Sequence, residues 1–464
     1  MTKARGVVLS SWSAAALLAC GVTAGLDCAR IPHNPRQPPL CAVDPEPPRI
    51  VRYLSSQETA GGPLVYGLVL EDQQGIPTRV FNLSAWQEDS GVGTREASED
   101  FQYGPLFELA RERWEAYREA RRAGRIAQDP TWERFSEVIV PEKVCSPVGV
   151  SQAKIDSGER IILGAAFNYR EHAEESGGGE VFLFPKPVHP TGPYRSVVRS
   201  ESVVLLDYEV ELGFVLLEDI DLAAVPSASD FEEKVAYFAA NDVSDREPVL
   251  RRQPIIGTST GYAESKGKPG FLPLGPWMVH GRELQVFSGD CSRSLRLMLE
   301  VKENGRRSLR QHSETARMLD SPRELLIALG AHLDPRERRS IWSAMSIFRG
   351  EKEWFYPLAQ RVAQGGRART VLPRGSILVT GTPAGVAFYA PNRLRLIGRS
   401  LIHLRSPVEQ FIRELKEHHA QAGFLRDGDV VIASVEGLGV QRWAVEAEVF
   451  SSQSDPCMAE DAIQ

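Results

Sequence analysis

Short apolar runs broken by turn chemistry dominate the chain. Ile50-Val51-Arg52-Tyr53, Leu64-Val65-Tyr66-Gly67-Leu68-Val69-Leu70 and Arg79-Val80-Phe81-Asn82-Leu83 read as strands, with a turn at Glu71-Asp72-Gln73-Gln74-Gly75. Leu106, Leu109, Arg113, Trp114 and Tyr117 then fall at helical spacing, and the basic run from Arg118 to Arg125 is the solvated face and end of that helix. Val138-Ile139-Val140-Pro141 returns to extended chain, and Ile161-Ile162-Leu163-Gly164 is a short strand. The run from Val203 to Leu217 reads as one strand with Asp207-Tyr208-Glu209-Val210-Glu211-Leu212 inside it. Period-two alternation puts Asp207, Glu209 and Glu211 on one face. Three neighbouring carboxylates repel one another. They belong either on a solvent-exposed edge or around a hard divalent cation with oxygen ligands.

Other polar clusters sit where apolar runs end. Asn168 is positioned as a helix N-cap, with Glu171 completing a capping box. His172 and Glu175 are then neighbours on one helix face, as suits a carboxylate-oriented general base, and Gly177-Gly178-Gly179 supplies a hinge for a lid. A surface helix with an incidental His–Glu pair is the plainer alternative. Asn241-Asp242-Val243-Ser244-Asp245-Arg246 offers Asp242 as a further metal oxygen and Arg246 as a partner for an acid or a substrate carboxylate. Lys266 lies before a Gly- and Pro-rich loop, either exposed and idle or a charge clamp near a bound anion. Val379 to Val386 runs into a tight turn whose backbone N–H groups at Gly381 and hydroxyl at Thr382 suit an anion, without Walker A spacing. Two capped helices are expected later, one from Ser321-Pro322 with Glu324 at N3 to a stop at Gly330, the other from Ser406-Pro407-Val408-Glu409 to His418.

Composition removes several function classes. The 464 residues are 42% hydrophobic and 25% charged, ordinary for a globular protein of two or three domains. A net charge of −7 gives no footprint for nucleic acid. Six scattered cysteines are too few for a disulfide scaffold and form no zinc motif. Lys3 and Arg5 precede an apolar stretch ending in Leu17-Leu18-Ala19-Cys20-Gly21, which reads as a signal peptide over 1–20 with a lipobox-like end and lipidation of Cys20. Residues 21–48 are a Pro-rich tether. The expected location is export to a bacterial periplasm or a membrane-anchored lipoprotein, contact with membrane being only through the lipid; with an inactive leader the chain stays cytoplasmic. In an oxidising compartment Cys28 and Cys41 are able to pair.

Taken together, the clusters resemble the fumarylacetoacetate hydrolase family. Asn168-Tyr169 with His172 and Glu175 looks like its NYxxHxxE lid, Lys186-Pro187 like its KP, and Asp207 to Leu212 like its DYExEL strand. Asn241 to Ser244 with Arg246 is similar to its NDVSxR, and Lys266, ten residues before Pro276, to its Lys before PxGP. Asn304-Gly305 with Gln311 resembles NGxxxQ, Gly381 to Val386 matches GTPAGV, and Phe424 to Val431 with Glu436 to Gly439 looks like the closing FLxxGDVV…EGLG. The pattern is closest to the acylpyruvate- and oxaloacetate-acting branch.

The resemblance implies an α+β, β-rich architecture. A mixed β-sandwich roll over 151–452 would form the catalytic domain, after a small N-terminal β domain over 49–150 and before a tail over 453–464, usually in a homodimer. Insertions are expected near 333–369 and 389–422, reshaping the pocket mouth or the dimer interface. By match, Glu209, Glu211 and Asp242 would bind Mg²⁺ (or Mn²⁺ or Ca²⁺), with Asp207 in a supporting role. His172 and Glu175 would activate water, and Lys266 would neutralise developing charge. Lys186, Arg246, Gly381 and Thr382 would bind a small 2-oxo or 1,3-diketo acid. The implied activity is hydrolysis of a carbon–carbon bond through a metal-stabilised enolate. Decarboxylation or isomerisation at the same site, or a silent anchored binding protein, are the alternatives. Three departures from the family pattern stand out. Pro383-Ala384-Gly385-Val386-Ala387 after the GT turn carries no acid to orient the lid His, so the resemblance leaves Glu175 as its partner. Asp245 replaces a small residue, and Lys266-Gly267-Lys268-Pro269-Gly270 lacks the usual residues after the Lys.

Overall fold

Gln74 and Gly75 both take positive φ, 55° and 82°, the conformation of a two-residue hairpin turn. They join β2 (Leu64–Gln73) to β3 (Ile76–Asn82), and with β1 (Ile50–Leu54) and β4 (Ser136–Val138) these strands form one antiparallel sheet in the order β1-β2-β3-β4. The helix Tyr103–Arg122 buries Leu106, Trp114 and Tyr117 on its apolar stripe, as the spacing predicts. Glu137 on β4 is the polar centre of this module, taking hydrogen bonds from Tyr53, Ser55, Ser56 and Asn82.

The computed structural model describes residues 46–56, 63–91, 103–252, 261–287, 293–331, 371–389, 406–448 and 457. The expected leader, Cys20, Cys28 and Cys41 lie outside them, as do the whole of the first insertion, residues 390–405 of the second, and most of the tether and tail. Among the described residues no helix is long and apolar enough to cross a membrane.

The larger part of the chain adds β5 (Ile162–Ala166), β6 (Phe182–Pro185), β7 (Val197–Arg199), β8 (Leu206–Asp207), β9 (Val210–Leu216), β10 (Ile220–Asp221), β11 (Val235–Asn241), β12 (Ser244–Asp245), β13 (Val279–His280), β14 (Arg296–Glu303), β15 (Arg306–Glu314), β16 (Val371–Leu372), β17 (Ile377–Val379), β18 (Val430–Val435) and β19 (Val440–Ala447). A six-stranded sheet runs β13-β11-β9-β17-β5-β6, and a five-stranded sheet runs β15-β14-β18-β19-β7. Only β17–β5 and β19–β7 pair in parallel among the named strands. The main core includes Leu212, Phe214 and Tyr237 from the first sheet with Leu297, Val431 and Trp443 from the second. Val215, Ala236 and Phe238, on the opposite pleat, join the core of the N-terminal module. The central strands are therefore buried on both faces, which is why β9 and β11 read as continuous apolar runs. The protein is α+β and β-rich.

Both late helices are capped as expected. Ser321 and Glu324 exchange backbone bonds, and Ser406 with Glu409 forms a full capping box on the helix Pro407–Glu417. Gly330 does not stop its helix, which runs Pro322–Ala331. A Cβ there would sit 2.1 Å from the Leu222 carbonyl oxygen, so the glycine serves close packing instead. One covalent link had no sequence signal: Cys145 and Cys457 form a disulfide across 312 residues.

Candidate active site

The acidic stretch is not one strand. The chain leaves β8 at Asp207 and enters β9 at Val210, changing sheets between them. Three consecutive backbone N–H groups across the break are taken by side chains. Tyr208 N donates to Asp207 Oδ1 (2.9 Å), Glu209 N to Asn241 Oδ1 (3.2 Å) and Val210 N to Gln311 Oε1 (3.0 Å). Side-chain acceptors replace the missing sheet ladder, so the backbone N–H groups of Tyr208, Glu209 and Val210 are all paired. This separates the three acids that alternation had put together. Asp207 accepts the N–H groups of Ala387 (2.8 Å) and Phe388 (3.1 Å) and the Arg246 Nε (2.8 Å), a supporting role.

Glu209, Glu211 and Asp242 converge instead, with one carboxylate oxygen from each within 4.8 Å of the others and all three residues buried. Asp242 arrives at the end of β11, whose register pairs Ala240 with Glu211 and Asn241 with Val210. Glu211 Oε2 accepts the Gly381 N–H at 2.6 Å, while its Oε1 is buried without a hydrogen-bond partner among the described residues. Arg246 Nη2 reaches Glu209 Oε1 at 2.5 Å. Lys266 Nζ binds Glu209 Oε2 and, at 2.6 Å, Asp242 Oδ2. Lys186 Nζ lies 2.6 Å from Asp242 Oδ1 and donates to the Lys266 carbonyl at 2.7 Å.

These contacts decide the electrostatics. Four carboxylates, Asp207, Glu209, Glu211 and Asp242, face three cations, Lys186, Arg246 and Lys266. Burial opposes the Glu209 charge, but Arg246 and Lys266 outweigh it and hold that carboxyl at about 2. Glu211 is driven the other way, well above the usual carboxylate range, by burial first and then by Asp242 and Glu209. A buried, orphaned carboxylate oxygen beside two more acids is what a hard divalent cation requires, so the residues fit such an ion. Glu209, Glu211 and Asp242 would hold it.

The lid helix is short, Arg170–Glu175, and its N-cap is Tyr169 without a side-chain cap bond. The expected capping box does not form. Asn168 is drawn inward, donating to the carbonyls of Asp320 (2.9 Å) and Thr380 (2.8 Å) and accepting from Asp320 N, while Glu171 pairs with Arg317. Tertiary partners outcompete the local cap because they satisfy both ends of the buried amide. His172 Nδ1 lies 3.5 Å from Glu175 Oε2, and Glu175 also accepts the Gly385 N–H at 3.1 Å. Gly177 and Gly178 follow at φ 97° and 88°. Phe167, just before the lid, is held at φ 60°, a conformation bulky side chains rarely adopt. A Cβ at Gly179 would sit 2.3 Å from its ring.

His172, Glu209, Arg246, Lys266 and Thr382 are among the residues that line one open pocket. Lys186 is fully buried behind Asp242 and is not part of the pocket wall. Thr382 Oγ1 donates to the Val210 carbonyl (3.0 Å) and accepts from Gln311 Nε2 (2.7 Å), and Gly381 N–H is engaged by Glu211. The Gly381-Thr382 turn therefore fixes the acids, and Thr382 alone of the two lines the pocket.

A family profile described as fumarylacetoacetate (FAA) hydrolase, C-terminal, matches residues 161–335, the segment carrying the lid, the three acids and Lys266. Over that segment the chain is similar to the fumarylacetoacetate hydrolase family. It is 26% identical over 288 residues to a 2,4-didehydro-3-deoxy-L-rhamnonate hydrolase of Sphingomonas sp. (strain SKA58), covering 61% of this chain and 72% of the relative. It is 26% identical over 294 residues to a fumarylacetoacetate hydrolase domain-containing protein 2 homolog of Dictyostelium discoideum, covering 62% and 71%. A solved fumarylacetoacetate hydrolase of psychrophilic Exiguobacterium antarcticum aligns over 86% of this chain and 100% of its own, at 19% identity and a TM-score of 0.48.

Two departures from the fumarylacetoacetate hydrolase pattern turn out to be partners. Asp245 Oδ2 lies 2.9 Å from Lys268 Nζ, and the Asp245 carbonyl accepts the Ser265 hydroxyl. Together they fasten the turn after Lys266, which is the last residue of a short helix, Tyr262–Lys266, and not part of an open loop. Asn241 and Gln311 were visible in the sequence only as letters of a motif. Their acceptor roles at the strand break depend on which backbone groups the fold leaves unpaired.

Proposed function

We propose that this protein hydrolyses a carbon–carbon bond in a 1,3-diketo or 2-oxo acid of the acylpyruvate kind. The convergence of Glu209, Glu211 and Asp242, with Glu209 and His172 lining one pocket and Glu175 3.5 Å from the His172 Nδ1, carries this reading. Glu209, Glu211 and Asp242 would hold a divalent ion, Mg²⁺ or else Mn²⁺ or Ca²⁺, which would supply positive charge against the negative charge that develops on the substrate oxygens. His172, with the Glu175 carboxylate 3.5 Å from its Nδ1, takes a proton from water as the oxygen adds to the acyl carbonyl. Cleavage then releases the acyl group as a carboxylic acid. The departing enolate takes a proton back at carbon and leaves as the 2-oxo acid. Lys266 and Arg246 keep Glu209 ionised and hold positive charge at the pocket wall. Lys186 fixes Asp242 from behind.

The test is a screen of the Mg²⁺-loaded protein against acylpyruvates, oxaloacetate and fumarylpyruvate, identifying products. A carboxylic acid plus pyruvate supports hydrolysis. Carbon dioxide alone from oxaloacetate, or an isomer without cleavage, replaces it with decarboxylation or isomerisation. We also propose that the chain works in an oxidising compartment, a reading supported by the Cys145–Cys457 disulfide and the leader-like N-terminus.

A further inference from the structure

The pocket wall is polar at His172, Glu209, Arg246, Lys266 and Thr382 and apolar at Phe167, Phe184, Val249, Leu250, Tyr262 and Phe388. The helix Arg246–Arg252 sets the transition. Arg246 turns toward Asp207 and Glu209, and Val249 and Leu250, three and four residues on, share its face. The helix Tyr262–Lys266 does the same from the other side, with Lys266 on the acids and Tyr262 one turn earlier stacked on Phe184 at 4.8 Å. Phe182 closes the aromatic cluster, 5.6 Å from Phe167 and 5.4 Å from Tyr262.

The described part of the second insertion stands behind this wall. Phe411 of the helix Pro407–Glu417 packs edge-on against Phe388 at 6.3 Å, and Lys416 pairs with Glu247 at 2.5 Å on the helix that carries Val249 and Leu250. The inserted helix thus fixes two sides of the apolar wall. Among the described lining residues the cations are Arg246 and Lys266, and both already hold Glu209.

Resting on the proposed 2-oxo acid chemistry, we infer that the substrate's distal group is uncharged and apolar, an alkyl or aryl chain, and that a dicarboxylic substrate is rejected. Arg246 stands over the Phe388 ring at 5.7 Å and Lys266 over the Phe184 ring at 5.1 Å, but both are held by Glu209. A distal carboxylate would therefore lose its water against this wall and meet no cation outside those pairs among the described residues. An alkyl chain would gain about fourfold in affinity for each methylene it buries.

The experiment is calorimetric titration of the full-length Mg²⁺-loaded protein with 2-oxobutanoate, 2-oxohexanoate, 2-oxooctanoate and the diacid 2-oxoadipate. Affinity is expected to rise about fourfold per methylene along the monoacids, with 2-oxoadipate at least tenfold weaker than 2-oxohexanoate. Phe411→Ala is expected to weaken 2-oxooctanoate more than 2-oxobutanoate, and Leu250→Lys to bring 2-oxoadipate level with 2-oxohexanoate or above it. Equal or tighter binding of the diacid by the unaltered protein, no dependence on chain length, or no binding of any of these acids overturns the inference. The wild-type series needs no variant to fold. It is also read without turnover, so failure of the proposed hydrolysis is seen separately, as acylpyruvates that stay intact.

Discussion

Glu211 accepts the Gly381 backbone N–H through Oε2 at 2.6 Å and leaves Oε1 buried without a partner among the described residues. The side chain is aimed by one bond and incomplete at the other oxygen. Glu211→Gln keeps an acceptor for Gly381 but removes the charge a cation needs. The expected result is that Mg²⁺ raises the melting temperature of the wild-type protein and not of the variant, because only a ligand that binds the folded state stabilises it, by about 2.7 kcal/mol at a hundred times Kd. Without metal, the variant is expected to be at least as stable as wild type, since it no longer buries a carboxyl beside two others. An undiminished Mg²⁺ response in Glu211→Gln would place the ion elsewhere.

Glu175 is shared between His172 Nδ1 at 3.5 Å and Gly385 N–H at 3.1 Å. Glu175→Gln preserves the bond to Gly385, and so the lid's attachment, while removing the negative charge beside the imidazole. On an acylpyruvate that the protein turns over, kcat is expected to fall roughly 10- to 100-fold with KM little changed. His172→Ala is expected to cost on the order of 10²- to 10⁴-fold, the usual worth of a general base. Equal kcat for wild type and Glu175→Gln would remove Glu175 from the proton transfer.

The Cys145–Cys457 bond closes a loop of 312 residues. Closing so long a loop restricts the unfolded chain, and losing a native disulfide typically costs about 2–5 kcal/mol. Cys457→Ser, or reduction of the native protein, is expected to lower the denaturant midpoint accordingly without altering Mg²⁺ binding. Two free thiols in the purified, unreduced protein at these positions would contradict the pairing.

Glu232 supplies a pH signature away from the pocket. Its carboxyl is pushed up to about 8 by burial, against the lowering effect of the Tyr237 hydroxyl, which donates to it at 2.9 Å. The folded state therefore keeps this proton up to about pH 8, while the unfolded chain releases it near pH 4.5. The contribution to stability is full below pH 4.5 and is lost as pH rises through 8. Between those limits Glu232→Gln is expected to flatten the fall of stability with pH, measured by denaturant titrations at pH 5, 6.5 and 8. Parallel curves for the two proteins would show that Glu232 ionises normally.

The hydrophobic pattern was a good guide wherever local rules suffice. The hairpin at Gln74-Gly75, the helix centred on Trp114 and the boxes at Ser321 and Ser406 each depend on residues a few positions apart. Local rules failed at Asn168, where a capping residue found deeper partners 152 and 212 residues away. They failed also at the acidic strand, where alternation grouped Asp207 with Glu209 and Glu211. The break at Tyr208 and Glu209 depends on Asn241 and Gln311, which no spacing rule connects to it.

By itself the sequence determined the residue types of the site and the order of their motifs, because acids, imidazole, ammonium and glycine carry their chemistry in any context. Only the tertiary structure decided their roles. It put Lys186 behind Asp242, made Asp207 a brace for Arg246, paired Asp245 with Lys268 and left one oxygen of Glu211 unmatched. In a buried site a charged group is defined by the partner that offsets its lost hydration, and those partners come from strands and turns far apart in the chain.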